Sequence, residues 1–178
     1  MANNSTFTRG CLIEAILRNI SIEGTAEYNK DDSATGVQVA EYVHNPNGFN
    51  ISNVMQWIKS GNNGRSPLHN ASTGYCAKYV RFMLEAGGID TSGHPVSAVK
   101  YAGWLPSRGF RNITTLSGRA QQEEWTRSSA IPGDIAVMAH GEHGHICMYT
   151  GYNWVSDFRQ NRMWPYSGDG VCYIFRFE

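Results

Sequence analysis

Cys76 opens the clearest helical pattern in the sequence. The apolar residues behind it recur at the i+3, i+4, i+7 and i+8 positions, which is the spacing of a buried helical stripe. This stripe comprises Tyr79, Val80, Met83 and Leu84. Gly87 and Gly88 end the pattern, and Ser72 or Thr73 is expected to cap its start. Because unpaired N–H groups and the helix dipole favour negative charge in the first turn, we expect a thiol there to ionise easily.

His145 opens a strand-like segment, Gly144–Tyr149. Side chains alternate along a strand, so His145, Cys147 and Tyr149 share one face. We expect this face to meet the helix of Cys76, with the imidazole and the sulfur at one end of the packing layer. A cysteine and a histidine within hydrogen-bond reach form a nucleophile with its general base. The two residues therefore predict thiol chemistry.

Asp157 is the candidate third group, which would accept the other N–H of the imidazole and orient the ring. Its reach depends on the length of a hairpin loop. A three-residue loop, Thr150–Tyr152, places Asp157 opposite His145. A two-residue loop, Gly151–Tyr152, places Phe158 there and turns Asp157 to the other face. Both registers are open at this point.

The order of the predicted elements indicates an α+β fold, in which N-terminal helices precede a C-terminal antiparallel sheet and the Cys76 helix packs on that sheet. Further helices are predicted at Thr8–Asn19, Ser52–Ser60 and Ser97–Trp104. A polar connection, partly helical around Gln121–Trp125, is predicted over Thr114–Ala130. Strands are predicted at Asp134–Met138, His145–Thr150, Asn153–Phe158 and Val171–Phe177. The 178 residues suit a single domain, with 1–69 as an extension integrated with a catalytic core over 70–178.

Charge and hydropathy argue against several classes of function. Lys+Arg and Asp+Glu both number 15, so there is no bulk electrostatic case for binding nucleic acid or an anionic membrane. No apolar run is long enough for membrane insertion. No signal peptide is recognisable, because Glu14 and Arg18 interrupt the apolar stretch Cys11–Ile20. We expect the protein to be synthesised in the cytoplasm and, if it acts outside the cell, to be exported without a standard signal. We also expect that it needs no cofactor.

The remaining cysteines and histidines leave two alternatives open. Four cysteines are too few and too scattered for a disulfide scaffold, although Cys147 and Cys172 lie in strand-like runs and a disulfide between them is possible. The cluster from His140 to Cys147 holds the residue types of a zinc site without the spacing of the two-pair zinc patterns. We expect no metal, with His140 and His143 at the mouth of the site or exposed. His94 is interpreted as a surface residue.

Five short motifs follow one another between residues 70 and 160. They are Tyr75-Cys76, Ala98–Trp104, Pro132–Val137, Gly144–Tyr149 and Trp154–Phe158. In this order the motifs resemble the CHAP family, the cysteine- and histidine-dependent amidohydrolases and peptidases, and the wider group of NlpC-type cell-wall peptidases. Many members of the family have Gln before the cysteine, where this chain has Tyr75, so the match carries over no side-chain oxyanion donor.

The resemblance implies a papain-like fold and hydrolysis of an amide or peptide bond in bacterial peptidoglycan. By position, Cys76 matches the nucleophile, His145 the base and Asp157 the polar orienting residue. Sugar–peptide amide, stem peptide and crosslink are all candidate bonds.

Side chains around these motifs are candidates for binding the substrate. We predict that the substrate-binding residues are Tyr75, Trp104, His143, Trp154, Arg159 and Trp164. Arg159, together with Arg162, is expected to meet carboxylates of the stem peptide. Core packing is the alternative role for the tryptophans.

Two settings suit a one-domain wall hydrolase of this kind. The first is a phage lysis enzyme. The second is an effector injected into rival bacteria, which acts in the periplasm or cell wall of the target and implies an immunity protein in the producer. The alternative functions are a cysteine amidase for a small intracellular amide, a wall-binding module without catalysis, and a zinc protein.

Overall fold

The computed structural model describes residues 48–60, 69 and 71–178. The predicted helix Thr8–Asn19 and most of the 1–69 extension lie outside the described residues. Four α-helices form in the described part: α1 (Ile51–Ser60), α2 (Cys76–Ala86), α3 (Tyr101–Trp104) and α4 (Arg119–Ser128). Short 3₁₀ turns at Ala98–Lys100 and Leu105–Arg108 flank α3. None of the helices described has both the length and the apolarity of a membrane span.

The strands of the described part form one six-stranded sheet in the order β1-β6-β2-β3-β4-β5, and every neighbouring pair is antiparallel. They are β1 (Phe110–Ser117), β2 (Ile135–Met138), β3 (His145–Tyr149), β4 (Trp154–Val155), β5 (Arg159–Gln160) and β6 (Val171–Phe177). Helices on an antiparallel sheet confirm the predicted α+β class.

Helix α2 forms where the apolar stripe predicts it. Its residues Val80, Met83 and Leu84 are fully buried and belong to one core with α1 and the sheet. Each such side chain contributes about 1.5–3 kcal/mol by leaving water. Gly87 follows the helix because a Cβ there would lie 2.3 Å from the ring of Phe49. The stripe therefore fixes the helix against the sheet, and Cys76 becomes its first residue.

The helix lies on the opposite face of β3 from the one predicted. Ile146 and Met148 belong to the core beneath α1 and α2, whereas Cys147 and Tyr149 belong to a second core on the other side of the sheet. The expectation that the face of His145 packs on the helix is therefore wrong. The more apolar face of β3, with Ile146 and Met148, is buried in the larger core. Aromatic side chains, among them Trp154 and Trp164, pack in the second core.

Strands β2, β3 and β6 lie within one residue of their predicted bounds, but β4 is much shorter than predicted. After Val155 the chain no longer pairs with β3 and turns through residues 156–158. It then returns as β5, which pairs with β4. The turn is tight, because Ser156 N donates a hydrogen bond to Phe158 O at 3.0 Å. The turn contains Asp157, and β5 after it contains Gln160.

The β3–β4 hairpin uses the shorter of the two predicted loops. Tyr149 pairs with Trp154, and Thr150 N donates to Asn153 O at 2.9 Å, which leaves Gly151–Tyr152 as the loop. In this register the side chain of Asp157 does not lie opposite His145.

The stretch predicted as a polar connection contains the end of β1 and all of α4, which includes the helical part predicted around Gln121–Trp125. A register shift between Asn112 and Thr114 marks a bulge in β1, and only Phe110 and Leu116 of this strand are buried. Because the strand lies at the sheet edge and carries a bulge, its alternation of apolar and polar residues is broken. A pattern of period two therefore does not reveal it.

Gly144, the residue before His145, occupies a position that only glycine fits. Its φ of 67° is in the left-handed region. A Cβ there would lie 2.5 Å from the carbonyl oxygen of Met138 and 2.8 Å from Cβ of Val99. This close approach sets the start of β3 and thereby the position of His145.

Replacing Gly144 should therefore be more damaging than replacing a neighbouring glycine of similar conformation. Gly141 has a φ of 60° and would meet nothing within 4 Å, so G141A carries only the left-handed strain, about 1–2 kcal/mol. G144A adds a clash with main-chain atoms, so we expect a clearly larger loss in the free energy of unfolding. Urea denaturation of both variants measures the difference, and equal losses would contradict the close approach.

Candidate active site

The N-terminus of α2 and the start of β3 border one open cleft with a volume of about 550 Å³. Half-buried Cys76 and buried His145 both line it. The other lining residues come from segments 72–81, 94–101 and 143–145, and from Tyr166. The structure thus brings together the residues predicted as nucleophile and base, although the packing that does so differs from the expected one.

Burial dominates the acidity of Cys76. Desolvation raises the pKa of the Cys76 thiol above its ordinary 9.0, and the charge of Asp157 raises it further. Hydrogen bonds from the backbone N–H groups of Ile146, Ala77 and Cys76 itself lower the pKa without cancelling the rise. The expected easy ionisation of this thiol is therefore wrong for the free protein. The Ile146 contact also places the sulfur beside the residue that follows His145.

The imidazole of His145 is likewise buried in its neutral form. Burial lowers the pKa of His145 below its ordinary 6.5, and the hydrogen bond to Gln160 and the charge of Asp157 offset this only in part. At neutral pH the ring is therefore able to accept a proton.

Gln160 determines which ring nitrogen of His145 is the base. Its amide Nε2 donates to the carbonyl oxygens of Met163 at 3.0 Å and Arg162 at 3.3 Å. Its Oε1 lies 2.8 Å from His145 Nε2 and must accept a hydrogen bond there. Nε2 of His145 accordingly carries the proton, and Nδ1 has the free lone pair.

The predicted orienting contact between Asp157 and His145 is wrong, because Gln160 occupies that position. β4 ends at Val155, and the turn that follows directs the Asp157 carboxylate elsewhere. It accepts hydrogen bonds from the backbone N–H groups of Thr73 and Tyr75, at 2.6 and 3.2 Å. The buried acid therefore lies with the segment before the nucleophile.

The predicted substrate-binding residues divide into two groups. Tyr75, 58% exposed, and His143 border the cleft. Trp104, Trp154 and Trp164 are not among its lining residues. Trp154 and Trp164 are buried in the second core, and Trp104 packs on Tyr101 and beneath Arg108. For the three tryptophans core packing, the alternative role, is the observed one.

Arg159 borders a second cavity, of about 390 Å³, on the other side of His145. Arg162 lines the same cavity. Ser72, His145 and Tyr166 line both cavities, so the two form a continuous surface around the imidazole.

Gln160 and His94 are candidate site residues that sequence reasoning missed. Gln160 lies in a two-residue strand, which is too short to produce a pattern. His94, interpreted as a surface residue, is half-buried and borders the cleft. Arg81 donates to its Nε2 at 2.6 Å, and its Nδ1 donates to Pro95 O at 3.1 Å. The sequence feature that could have identified His94 is its position before Pro95, in a turn soon after α2.

The residues considered for a zinc site or a disulfide, His140, His143, Cys147 and Cys172, form neither among the described residues. His140 stacks on Tyr166 with ring centroids 3.8 Å apart, and His143 Nδ1 lies 3.1 Å from Ser97 Oγ. Across residues 48–60, 69 and 71–178, no three His, Cys, Asp or Glu side chains converge as metal ligands. Cys147 and Cys172 are both buried free thiols, so the disulfide left open by the sequence does not form here.

The opposite pKa shifts predict a resting pair of neutral thiol and neutral imidazole. Alkylation of Cys76 by iodoacetamide, followed by peptide mass spectrometry, should increase with pH through a midpoint above 9.0. The His145 ring protons should titrate in NMR with a midpoint below 6.5, because protonation is suppressed by burial. An alkylation rate that stays high and constant between about pH 5 and 8 would instead indicate a preformed thiolate.

No protein-family model and no curated protein matches the chain. Among solved structures, one chain of the native type VI effector–immunity complex Tae3–Tai3 from Ralstonia pickettii is similar, with a TM-score of 0.54 and 23% identity over 73% of this chain and 100% of that chain. The selenomethionine form of the same complex matches with a TM-score of 0.47 and 23% identity, over 67% of this chain and 97% of that chain. The first likeness concerns the fold, which is α+β and papain-like, with the helix of Cys76 packed on an antiparallel sheet.

Proposed function

We propose that this protein is a peptidoglycan hydrolase that cleaves an amide or peptide bond by a thiol mechanism. The observation that carries the proposal is the shared cleft of Cys76 and His145, in which Gln160 fixes the imidazole tautomer. The motifs that resemble the CHAP and NlpC-type peptidases supply the substrate class. Cys76 is the nucleophile, His145 the general base and acid, and Gln160 the group that orients the base.

In the first half of the reaction, Sγ of Cys76 attacks the carbonyl carbon while its proton passes to Nδ1 of His145. Proton transfer during the attack suits a pair that rests neutral. The backbone N–H of Cys76, at the N-terminus of α2, helps to hold the developing oxyanion. The imidazolium then gives its proton to the leaving nitrogen, the C–N bond breaks, and a thioester remains on Cys76.

In the second half, water attacks the thioester carbonyl and gives a proton to Nδ1 of His145. The C–S bond breaks, and the sulfur of Cys76 recovers its proton from the imidazolium. The products are a carboxylic acid and an amine, and the protein returns to its starting state.

The groove favours an extended substrate over a small amide. It continues from the cleft of Cys76 past His145 into the second cavity. No Asp or Glu is among the described residues that line either cavity, whereas Arg159 and Arg162 line the second. We infer that a peptide strand crosses both cavities and that its carboxylates lie toward the two arginines.

The fold likeness suggests the biological setting. The similar structure is a type VI effector–immunity complex, which favours the injected-effector setting over the phage enzyme. We infer that the chain acts in the periplasm or cell wall of a target bacterium. The producing cell then needs an immunity protein, and an occupant of the open cleft would block catalysis directly.

Cys76→Ala should reduce the release of soluble fragments from purified peptidoglycan by a factor on the order of 10⁴ or more, because the covalent route is lost. Cys172→Ala removes a buried thiol in the second core and is the matched control, with activity retained. Circular dichroism verifies that both variants fold. Wild-type activity in Cys76→Ala would end the proposal, and mass spectrometry of the wild-type fragments identifies the bond cleaved.

The arginine pair is tested by its effect on substrate binding. Arg159→Gln with Arg162→Gln should raise KM by about tenfold for each charge-assisted hydrogen bond lost. Arg111→Gln, which breaks an exposed pair with Glu178 at the opposite edge of the sheet, is the control and should leave KM unchanged. A stem peptide with amidated carboxylates should bind equally to wild type and the double variant. An unchanged KM in the double variant would contradict this orientation of the substrate.

A further inference from the structure

Asp157 is a fully buried carboxylate that the proposed mechanism does not use. It lies in the turn between β4 and β5 and is 0% exposed. Its Oδ1 accepts a hydrogen bond from Ser156 Oγ at 3.0 Å. Its Oδ2 faces residues 72–75, the segment that leads into α2 and the nucleophile.

Oδ2 of Asp157 accepts several hydrogen bonds from this segment. The donors are Thr73 N at 2.6 Å, Thr73 Oγ1 at 2.9 Å and Tyr75 N at 3.2 Å, and Ser72 Oγ lies 3.4 Å away. Tyr75 is the N-cap residue of α2, and its own side chain makes no capping bond. Tyr75, and not Ser72 or Thr73, is thus the N-cap residue, and the Asp157 carboxylate accepts from its N–H, where negative charge complements the helix dipole.

The main chain of the same turn strengthens the connection. His69 N donates to Asp157 O at 2.8 Å, and His69 forms a parallel bridge with Phe158. Two residues further on, Gln160 holds His145. The turn thus anchors the segment of the nucleophile through Asp157. Strand β5, which follows the turn, anchors the base through Gln160.

Asp157 also acts on the site through its charge. Burial raises the pKa of Asp157, but the hydrogen bonds it accepts outweigh this effect and hold the pKa below 3.8. The carboxylate is therefore ionised at neutral pH. Its charge raises the pKa of Cys76 and of His145.

No carboxylate is among the described residues that line the cleft of Cys76. Its other titratable side chains are Tyr75, Lys78, Arg81, His94, Tyr101, His143, His145 and Tyr166. Burial raises the pKa of Tyr101 and Tyr166 to about 12 and that of the nearby Cys147 thiol well above 9.0. Asp157 is the group whose charge shifts the pKa of Cys76.

We propose that Asp157 is a positioning residue for the nucleophile. It holds segment 72–75 and the first turn of α2 so that Sγ of Cys76 lies at the working distance from His145. The role rests on the proposed function, in which Cys76 is the nucleophile. It differs from the role expected from the sequence, because Asp157 acts on the nucleophile and Gln160 acts on the base.

Four variants separate hydrogen bonding from charge. Asp157→Asn keeps the shape and one acceptor oxygen but removes the charge. Asp157→Ala removes the acceptor. Thr73→Val removes one hydroxyl bond from the nucleophile segment, and Ser156→Ala removes a matched hydroxyl bond from the other carboxylate oxygen. Three measurements apply to each variant: circular dichroism, kcat and KM on peptidoglycan fragments, and the pH dependence of Cys76 alkylation.

Loss of positioning should lower kcat with little change in KM. We expect a loss on the order of 100-fold in Asp157→Ala, since a displacement of about 1 Å has that effect. Thr73→Val should lose about 3- to 10-fold, as one hydrogen bond implies, and Ser156→Ala should remain within about twofold of wild type. In Asp157→Asn the alkylation midpoint should move to lower pH, because a negative charge near the sulfur is gone. A role confined to stability would leave kcat of the folded protein unchanged.

Wild-type kcat in folded Asp157→Ala, or an unchanged alkylation midpoint in Asp157→Asn, would overturn the proposal. If Asp157→Ala does not fold, the loss of kcat in Thr73→Val is compared with that in Ser156→Ala. Equal losses of kcat in these two variants would overturn the proposal. The alkylation measurement needs no peptidoglycan. A protein that fails to cleave peptidoglycan but shows the alkylation shift would therefore refute the proposed substrate and retain the placement of Asp157 beside the nucleophile.

Discussion

The packing of α2 on β3 determines where chemistry is possible in this protein. The stripe through Val80, Met83 and Leu84 has one apolar surface to cover, the sheet face that carries Ile146 and Met148. Once the stripe is buried, the first turn of the helix lies at the end of the sheet where β3 begins. The sulfur and the imidazole therefore meet through hydrophobic packing, without a direct bond to draw them together.

The burial that brings Cys76 and His145 together also makes both groups less prone to ionise. Removing water raises the pKa of Cys76 and lowers the pKa of His145, so both groups are neutral when the cleft is empty. Backbone N–H groups at the helix start favour the thiolate but do not outweigh desolvation. In the proposed mechanism, these N–H groups stabilise charge that develops as the substrate carbonyl is attacked, which is where such stabilisation accelerates a reaction.

The sequence predicted the elements that depend on strong patterns. The stripe behind Cys76 predicted α2, and the apolar runs predicted β2, β3 and β6. It did not predict β1, whose bulge interrupts the alternation, or β5, which has two residues. For the same reason Gln160 was missed and Asp157 was assigned to the wrong partner. Gln160 and Asp157 reach their partners across a turn of three residues, and a one-residue difference in loop length reverses which side chains face His145.

The neutral state of Cys76 also bears on its durability. Peroxides and related oxidants react with thiolates much faster than with thiols, and damage beyond the sulfenic acid is largely irreversible. A half-buried sulfur that keeps its proton at neutral pH presents these oxidants with a poor target. We expect such a molecule to retain its activity through exposure to an oxidising environment, during which a permanently ionised cysteine would be consumed.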